Sequence, residues 1–199
     1  MIIKTYFDLI STLKADAILY PKQSGSFIRK IINCLVTNPI NTQHQIYRYV
    51  RALRFAEYHL NNSIISKSKT VSSIWHTVMM MFYYRILRKI SYKTGFQIPP
   101  NTCGEGLQIW HYGYIIINSN VRIGKNLTIY PGVEIGHKNP GEGCPVIGDN
   151  CFIGAGSKIF GDIRIGNNVT IAANSVVTKD MPDNVIVGGA PAKIIKYKE

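Results

Sequence analysis

Residues 146–182 read VIGDNCFIGAGSKIFGDIRIGNNVTIAANSVVTKDMP and carry an aliphatic side chain at every sixth position. The series within this stretch consists of Ile147, Ile153, Ile159, Ile165, Ile171 and Val177. Neither an α-helix nor a simple alternating strand has a period of six. Short strands joined by tight turns do, because Gly and Asn can take the positive φ that such turns need. The stretch therefore predicts a chain that coils in short, flat strands.

The same period continues toward the N-terminus through Ile117, Ile123, Ile129 and Ile135. It is interrupted at residue 141, a glycine within the segment 137–145. A second series lies two residues before the first and consists of Ile115, Val121, Leu127, Val133, Pro145, Cys151, Ser157, Ile163, Val169 and Ser175. Three hexads, about 18 residues, would close one triangular coil with the aliphatic side chains stacked inside a prism. We expect about four such coils over residues 103–179.

The first half of the chain has the periodicity of helices. Apolar residues recur at three-to-four spacing over residues 40–60, and a second long helix is expected from Ser72 or Ser73, as the capping residue, to Tyr92. Gly95 would end that helix. Two weaker helices are expected near residues 2–19 and 26–36. The change of period predicts an α-helical domain over residues 1–95 and a β-helix with a short C-terminal tail over residues 96–199.

Charge follows the same division of the 199 residues. The net charge is +12, and residues 1–100 carry 14 Lys and Arg against 3 Asp and Glu, whereas residues 101–199 carry 9 against 8. Hydrophobic residues make up 46% of the chain, which excludes a disordered protein. The four cysteines form no zinc-like spacing, and we expect reduced thiols and no metal. No secretory signal is expected, and the apolar stretch 74–84 is too short to cross a bilayer.

Three segments resemble the hexapeptide-repeat acyltransferases, whose fold is a left-handed parallel β-helix. They are LQIWHYGYIII (107–117), the stretch 146–182 and VGGAPAKII (187–195). The first segment is similar to the serine acetyltransferase branch, which includes relatives from polysaccharide gene clusters. The resemblance implies an O-acetyltransferase that moves an acetyl group from acetyl-CoA to a hydroxyl, without a metal.

His111 aligns with the catalytic histidine of that branch. Neutral imidazole suits the task, because a base with a reference pKa of about 6.5 can take a hydroxyl proton at neutral pH. The alternative is a ring that occupies a hexad position inside the prism. His137 opens the interrupting loop, and sugar O-acetyltransferases of this fold keep their histidine in a comparable loop. His137 is therefore a second candidate base, a substrate contact or a solvated loop residue.

The acceptor side departs from the serine acetyltransferase pattern. Trp110 replaces an Asp that helps to hold serine, and Cys144 replaces a second His before Pro145. The Asp that orients the imidazole falls near Gln97, one residue out of spacing. Trp110 and Tyr112 would suit the face of a sugar ring, so we expect a saccharide acceptor of a surface polysaccharide. The alternative acceptor is L-serine, and the alternative to an enzyme is a scaffold built on the same prism.

The donor side matches the family more closely. Small residues let the pantetheine arm of coenzyme A approach the coil backbone, and a lysine can meet its 3′-phosphate. The matching positions are Ala155, Gly156, Ala172, Ala173, Lys179, Pro191, Ala192 and Lys193. In these families the coenzyme lies between two neighbouring prisms.

That groove implies a homo-oligomer, a trimer or a dimer of trimers. The Arg-rich helix 40–60 raises the alternative of a nucleic-acid-binding module, but no recognised motif supports it and we expect no nucleic acid. We expect a cytoplasmic protein that acts on a small-molecule or glycan acceptor. The basic helical half could hold it at the inner face of the membrane.

Overall fold

The structure is a computed structural model, and it describes residues 2–21, 43–66 and 70–199. Its helices are α1 (Tyr6–Ile18), α2 (Gln43–Asn62) and α3 (Val71–Thr94). The helix expected at residues 26–36 lies outside the described residues. Among the described residues, no helix has the length and apolar character needed to span a membrane.

Capping residues set the ends of α3. Thr70 is its N-cap, and the hydroxyl oxygen of Thr70 accepts a hydrogen bond from the backbone N–H of Ser73. Ser73 returns the bond to the N–H of Thr70, which completes a capping box. The expected cap at Ser72 or Ser73 is therefore wrong by two or three residues. Gly95 ends the helix in the left-handed conformation, as expected, with φ of 81°.

Fourteen short strands follow, and most have two or three residues. They are β1 (Phe96–Gln97), β2 (Gln108–Ile109), β3 (Ile115–Ile117), β4 (Arg122–Ile123), β5 (Thr128–Ile129), β6 (Glu134–Gly136), β7 (Val146–Ile147), β8 (Phe152–Ile153), β9 (Lys158–Phe160), β10 (Arg164–Ile165), β11 (Thr170–Ile171), β12 (Val176–Val177), β13 (Val185–Gly189) and β14 (Ala192–Tyr197).

The strands form the three faces of a prism. Face A has the order β1-β3-β6-β9-β12, face B the order β10-β7-β4, and face C the order β14-β13-β11-β8-β5-β2. Neighbouring strands are parallel except β13 and β14, so the C-terminal tail is an antiparallel hairpin that extends face C. Phe152 pairs with Thr170, and Lys158 pairs with Val176. Each pair lies three hexads apart, which confirms the 18-residue coil.

The two aliphatic series line the interior of the prism. Ile109, Ile129, Ile153 and Ile171 stack on face C with no exposed surface. The second series is buried along its whole length, including Ser157 and Ser175. Both serine hydroxyls donate to the carbonyl oxygen of Ala172, at 2.9 and 2.6 Å, so neither is an unpaired polar group.

The turns differ from the expectation in one respect. Positive φ falls three residues after the aliphatic position, as at Asn126, Asn150 and Asn168. The glycines that follow the aliphatic residue directly have ordinary φ, and at positions 124, 148, 154 and 166 the close approach of the next coil leaves no space for a Cβ. A Cβ on Gly154 would lie 2.6 Å from the backbone nitrogen of Ala173 in the next coil.

A buried ion cluster joins the helices to the prism. Arg54 of α2 contacts Asp16 of α1 at 2.8 Å and Glu57 at 3.0 Å. Its guanidinium also donates to the carbonyl oxygens of Cys103 and Gly104. Helix and prism residues form one continuous buried cluster, with the change from helix to strand at Gly95. The division into two domains at residues 95 and 96 stays a prediction.

Candidate active site

His111 lies in a two-residue insertion at the edge between faces C and A. Gln108 pairs with Thr128, 20 positions on, whereas Ile116 pairs with Glu134, only 18 positions on. The first coil therefore has two more residues than a regular coil between β2 and β3, and this longer turn contains His111. The insertion carries the imidazole out of the prism, where it is exposed. The alternative, in which the His111 ring occupies a hexad position inside the prism, is therefore wrong.

Aromatic side chains surround the exposed imidazole. The Trp110 and Tyr130 rings are stacked, with centroids 6.1 Å apart and planes at 16°. The His111 ring centroid is 6.0 Å from that of Tyr130, and Phe152 lies 5.5 Å from Tyr130 on the other side. Sequence reasoning missed Tyr130. The available signal was that Tyr130 follows Ile129 directly, at the position where several other coils have Gly.

Two further contacts involve the turn that carries His111, residues 110–114, and were not expected. The side-chain amide of Gln43, the first residue of α2, donates to the carbonyl oxygen of Trp110. Lys158 donates to the Tyr114 hydroxyl at 3.2 Å and to Glu134 at 2.7 Å. These contacts join residues 67, 44 and 24 positions apart, so local sequence patterns do not indicate them.

The four expected acceptor residues are dispersed. Trp110 and Tyr112 flank His111 and are 39% and 37% exposed. Gln97 lies on the outer side of β1, next to Ile116, and among the described residues no hydrogen bond joins it to His111. Cys144 lies at the start of face B, beyond the interrupting loop. The structure therefore brings Trp110 and Tyr112 to His111 but does not bring Cys144 there.

His137 lies at a different edge, between faces A and B. The Asn118 amide nitrogen is 3.1 Å from Nδ1 of His137. Because an amide NH2 can only donate, Nδ1 accepts this bond, and the neutral ring carries its proton on Nε2. In this tautomer the ring's available lone pair is engaged by the Asn118 amide. Within one chain, His111 and His137 therefore belong to separate edges. The loop that His137 opens adds six residues to its coil, because Arg122 pairs with Val146, 24 positions on, whereas the regular spacing is 18.

Cys144 is buried, and burial raises the pKa of its thiol above the ordinary value. We predict that Cys144 reacts slowly with iodoacetamide at pH 7 and faster as the pH rises, because the thiolate is the nucleophile. Peptide mass spectrometry after alkylation of the folded protein measures this, with the urea-unfolded protein as the control. Equal alkylation of Cys144 in the two samples at pH 7 would contradict the prediction.

Small residues continue the His111 edge along the prism. The N–H of Gly156 donates to Pro131 O at 2.9 Å, and the N–H of Asn174 donates to Ala155 O at 2.8 Å. Ala155, Gly156 and Ala173 therefore stack along the edge between faces C and A. Among the described residues, the N–H groups of Ala155 and Ala173 make no hydrogen bond, and both residues are exposed. Bare donors on this part of the edge, which small residues line, suit an extended amide-containing chain such as pantetheine.

The remaining expected donor residues divide between face C and the edge that carries His137. Ala172 lies on face C beside Gly188, and the hairpin places Gly189 opposite Ala192 and Gly188 opposite Lys193. Pro191 lies in the turn of this hairpin. Lys179 follows β12 and precedes the Met181 bridge to face B, so it lies on the edge that carries His137. Among the described residues, no three His, Cys, Asp or Glu side chains cluster as a metal site would require.

Comparison with known proteins finds the hexapeptide repeat and similarity to serine acetyltransferases. The family model described as bacterial transferase hexapeptide (six repeats) matches residues 144–179. The serine acetyltransferase of Staphylococcus epidermidis is 43% identical over 118 residues, which are 57% of this chain and 55% of that protein. The serine acetyltransferase of Staphylococcus xylosus is 39% identical over 145 residues, 67% of each protein. The chain thus spans about half to two thirds of these curated relatives.

Among solved structures, the serine acetyltransferase of Neisseria gonorrhoeae superposes with a TM-score of 0.64 at 25% identity, covering 97% of this chain and 67% of that one. The prediction of a helical region followed by a left-handed parallel β-helix is confirmed. The chain is a hexapeptide-repeat protein of the acyltransferase superfamily. Within that superfamily it belongs to the serine acetyltransferase-like branch.

Proposed function

We propose that the protein is an acetyl-CoA-dependent O-acetyltransferase with His111 as its general base. The observation that carries the proposal is the position of His111. Its imidazole projects from a two-residue insertion at the head of an edge of small residues that includes Ala155, Gly156 and Ala173. A base and a groove for an extended thioester donor then share one edge of the prism.

The reaction would follow from these groups. Bound acetyl-CoA supplies the thioester whose acetyl group is transferred. His111 takes the proton of the acceptor hydroxyl as the oxygen forms its bond to the acetyl carbon, and the imidazolium returns that proton to the departing sulfur. An N–H donor such as that of Ala155 would stabilise the negative charge that develops on the carbonyl oxygen. Protons balance, and no covalent enzyme intermediate is needed.

The two histidines differ in their suitability as the base. Among the described residues, His111 makes no hydrogen bond, so a lone pair is available in either neutral tautomer. Nδ1 of His137 already accepts from Asn118, and its Nε2 carries the proton. This favours His111 as the base and leaves His137 as a substrate contact or a loop residue.

A homo-oligomer would complete the site. Within one chain, His111 and the small residues lie on one edge, while His137 and Lys179 lie on another. Contact between the first edge of one copy and the second edge of the next would unite the two sets. A heterologous contact forms a ring when its rotation closes, and a ring of three copies would agree with the trimer that the family resemblance implies. We propose a trimer as the functional unit.

L-serine is the acceptor that the comparisons favour. The relatives with 43% and 39% identity are serine acetyltransferases, and no comparison supports a polysaccharide acceptor. The sugar expected from the sequence is therefore the second candidate. The observation in its favour is the exposed Trp110 ring, which stacks on Tyr130 beside His111, since aromatic faces pack against sugar rings.

An acceptor assay tests the function. Thiol release from acetyl-CoA is measured with L-serine, with nucleotide sugars and with water alone, and we expect L-serine to exceed water by at least about 100-fold in rate. Transfer to a sugar but not to serine would replace the first acceptor with the second. Release that no acceptor raises above the water rate would contradict the enzyme and favour a scaffold. Trp110→Ala separates the acceptors, because loss of stacking should impair transfer to a sugar.

A further inference from the structure

The exposed side of α3 is divided along its length into an apolar half and a basic half. Six apolar side chains on this side are between 52% and 87% exposed. They are Val71, Ile74, Trp75, Val78, Met81 and Phe82. Arg85, Arg88 and Lys89 continue the same side toward the C-terminus of the helix, and all are exposed. At 3.6 residues per turn, these nine positions fall within a sector of about 140°.

The opposite side of α3 holds the helix in the fold. Met80 and Leu87 are buried there, and the Tyr83 ring stacks on Phe55 of α2 at 5.0 Å with planes at 8°. The exposed sector therefore does not arise from a loosely packed helix. Its apolar part, residues 71–82, is about 18 Å long at 1.5 Å per residue. A contiguous exposed apolar surface of this kind marks an interaction site.

Charge identifies the chemistry of the partner. Helix α3 contains no Asp or Glu, and its four basic residues lie in its second half. Of the three acidic residues in the first 100, Asp16 and Glu57 are buried against Arg54, and the half-buried Asp8 accepts hydrogen bonds from the N–H groups of Lys4 and Thr5. The partner must offer dense negative charge beside an apolar layer. A second copy of the same face offers no Asp or Glu to meet the basic half.

We propose that the exposed sector of α3 docks the protein on an anionic lipid surface. Trp75 and Phe82 would enter the boundary between headgroups and acyl chains, where aromatic rings are favoured. Arg88 and Lys89 would contact the lipid phosphates, as basic residues do at anionic leaflets. This inference goes beyond the proposed acetyl transfer and does not depend on it.

Cosedimentation with vesicles tests the docking. The full chain is mixed with vesicles of phosphatidylglycerol and phosphatidylcholine in equal parts, and separately with phosphatidylcholine alone. We expect binding at least tenfold tighter to the anionic vesicles, weakening as salt rises. Two double variants should each weaken binding at least tenfold, namely Trp75→Ser/Phe82→Ser and Arg88→Glu/Lys89→Glu. The first removes apolar area that binding would bury. The second removes two basic residues, each of which contributes about fivefold.

Matched controls come from the prism. Tyr197 and Lys196 are exposed residues of β14, and Tyr197→Ser and Lys196→Glu should leave binding unchanged. Thermal unfolding verifies that each variant is folded. Equal binding to both vesicles, or variants that bind as the parent does, would overturn the proposal. If no vesicle binds and Trp75→Ser/Phe82→Ser lowers the sedimentation coefficient without lipid, the sector is a contact between copies and lipid docking is wrong.

Discussion

Replacing His111 with alanine is expected to lower kcat/KM for acetyl transfer by about 10²- to 10⁴-fold, the contribution of a positioned general base. Stability should stay within about 0.5 kcal/mol of the parent, because the imidazole is exposed and makes no hydrogen bond among the described residues. Steady-state thiol release with the acceptor that the assay identifies measures the loss. Calorimetric titration with a non-transferable coenzyme A analogue should show nearly unchanged binding.

His137→Ala is the matched control for this experiment. Because Nδ1 of His137 accepts a bond from Asn118 and its Nε2 carries the proton, its removal should change kcat by less than tenfold. Retained turnover in His111→Ala together with loss in His137→Ala would move the base to the interrupting loop. Equal large losses in both variants would indicate that the two residues act in one site between neighbouring copies.

Arg54→Ala is expected to lower the free energy of unfolding by about 3–5 kcal/mol, the cost of removing one partner from a buried ion pair. The Arg54 side chain is 1% exposed, and its loss would leave Asp16 and Glu57 as buried carboxylates without a cation. Asp16 also accepts hydrogen bonds from the N–H groups of Gly106 and Leu107, at 2.8 and 3.0 Å. The substitution therefore loosens the attachment of the helices to the first coil.

Urea unfolding followed by circular dichroism measures this loss. Arg48→Ala is the control, because Arg48 is an exposed arginine of the same helix and its replacement should cost less than about 0.5 kcal/mol. Arg54→Lys keeps the charge but cannot make the same set of bonds, so an intermediate loss is expected, and this variant serves if Arg54→Ala does not fold. Equal stability of Arg54→Ala and Arg48→Ala would show that the cluster does not hold the two halves together.

The prism could be predicted because its determinants are local and repeated. Each coil needs inward aliphatic residues and turns at the same fixed spacing. Ten positions in the sequence therefore indicate the same fold. The turns were predicted less well, since the glycines after the aliphatic residue serve close coil contacts and positive φ falls on residues such as Asn150. The N-cap of α3 was placed at the wrong residue because both Thr and Ser are favourable N-cap residues. The side chains of Thr70 and Ser73 each accept a hydrogen bond from the backbone N–H of the other, and only the structure shows that Thr70 is the cap.

The candidate site was predicted in part. Similarity to a known family led to His111 and to the small residues of its edge. The Tyr130 ring and the Gln43 amide were missed, because they reach the His111 turn from another coil and from a helix. Gln97, expected to orient the imidazole, makes no such bond among the described residues, since β1 directs it to the outer side of face A.

The sequence by itself determined the coil, its 18-residue length and its filled interior, because a period of six residues leaves the chain few other ways to bury its aliphatic side chains. The tertiary structure decided which residues share an edge. It separated His111 from His137, enclosed the Arg54 cluster between helix and prism, and left the apolar side of α3 exposed. These outcomes depend on contacts between residues far apart in the chain. Packing and burial set the free energy of such contacts, and the spacing of residues in the sequence does not reveal either.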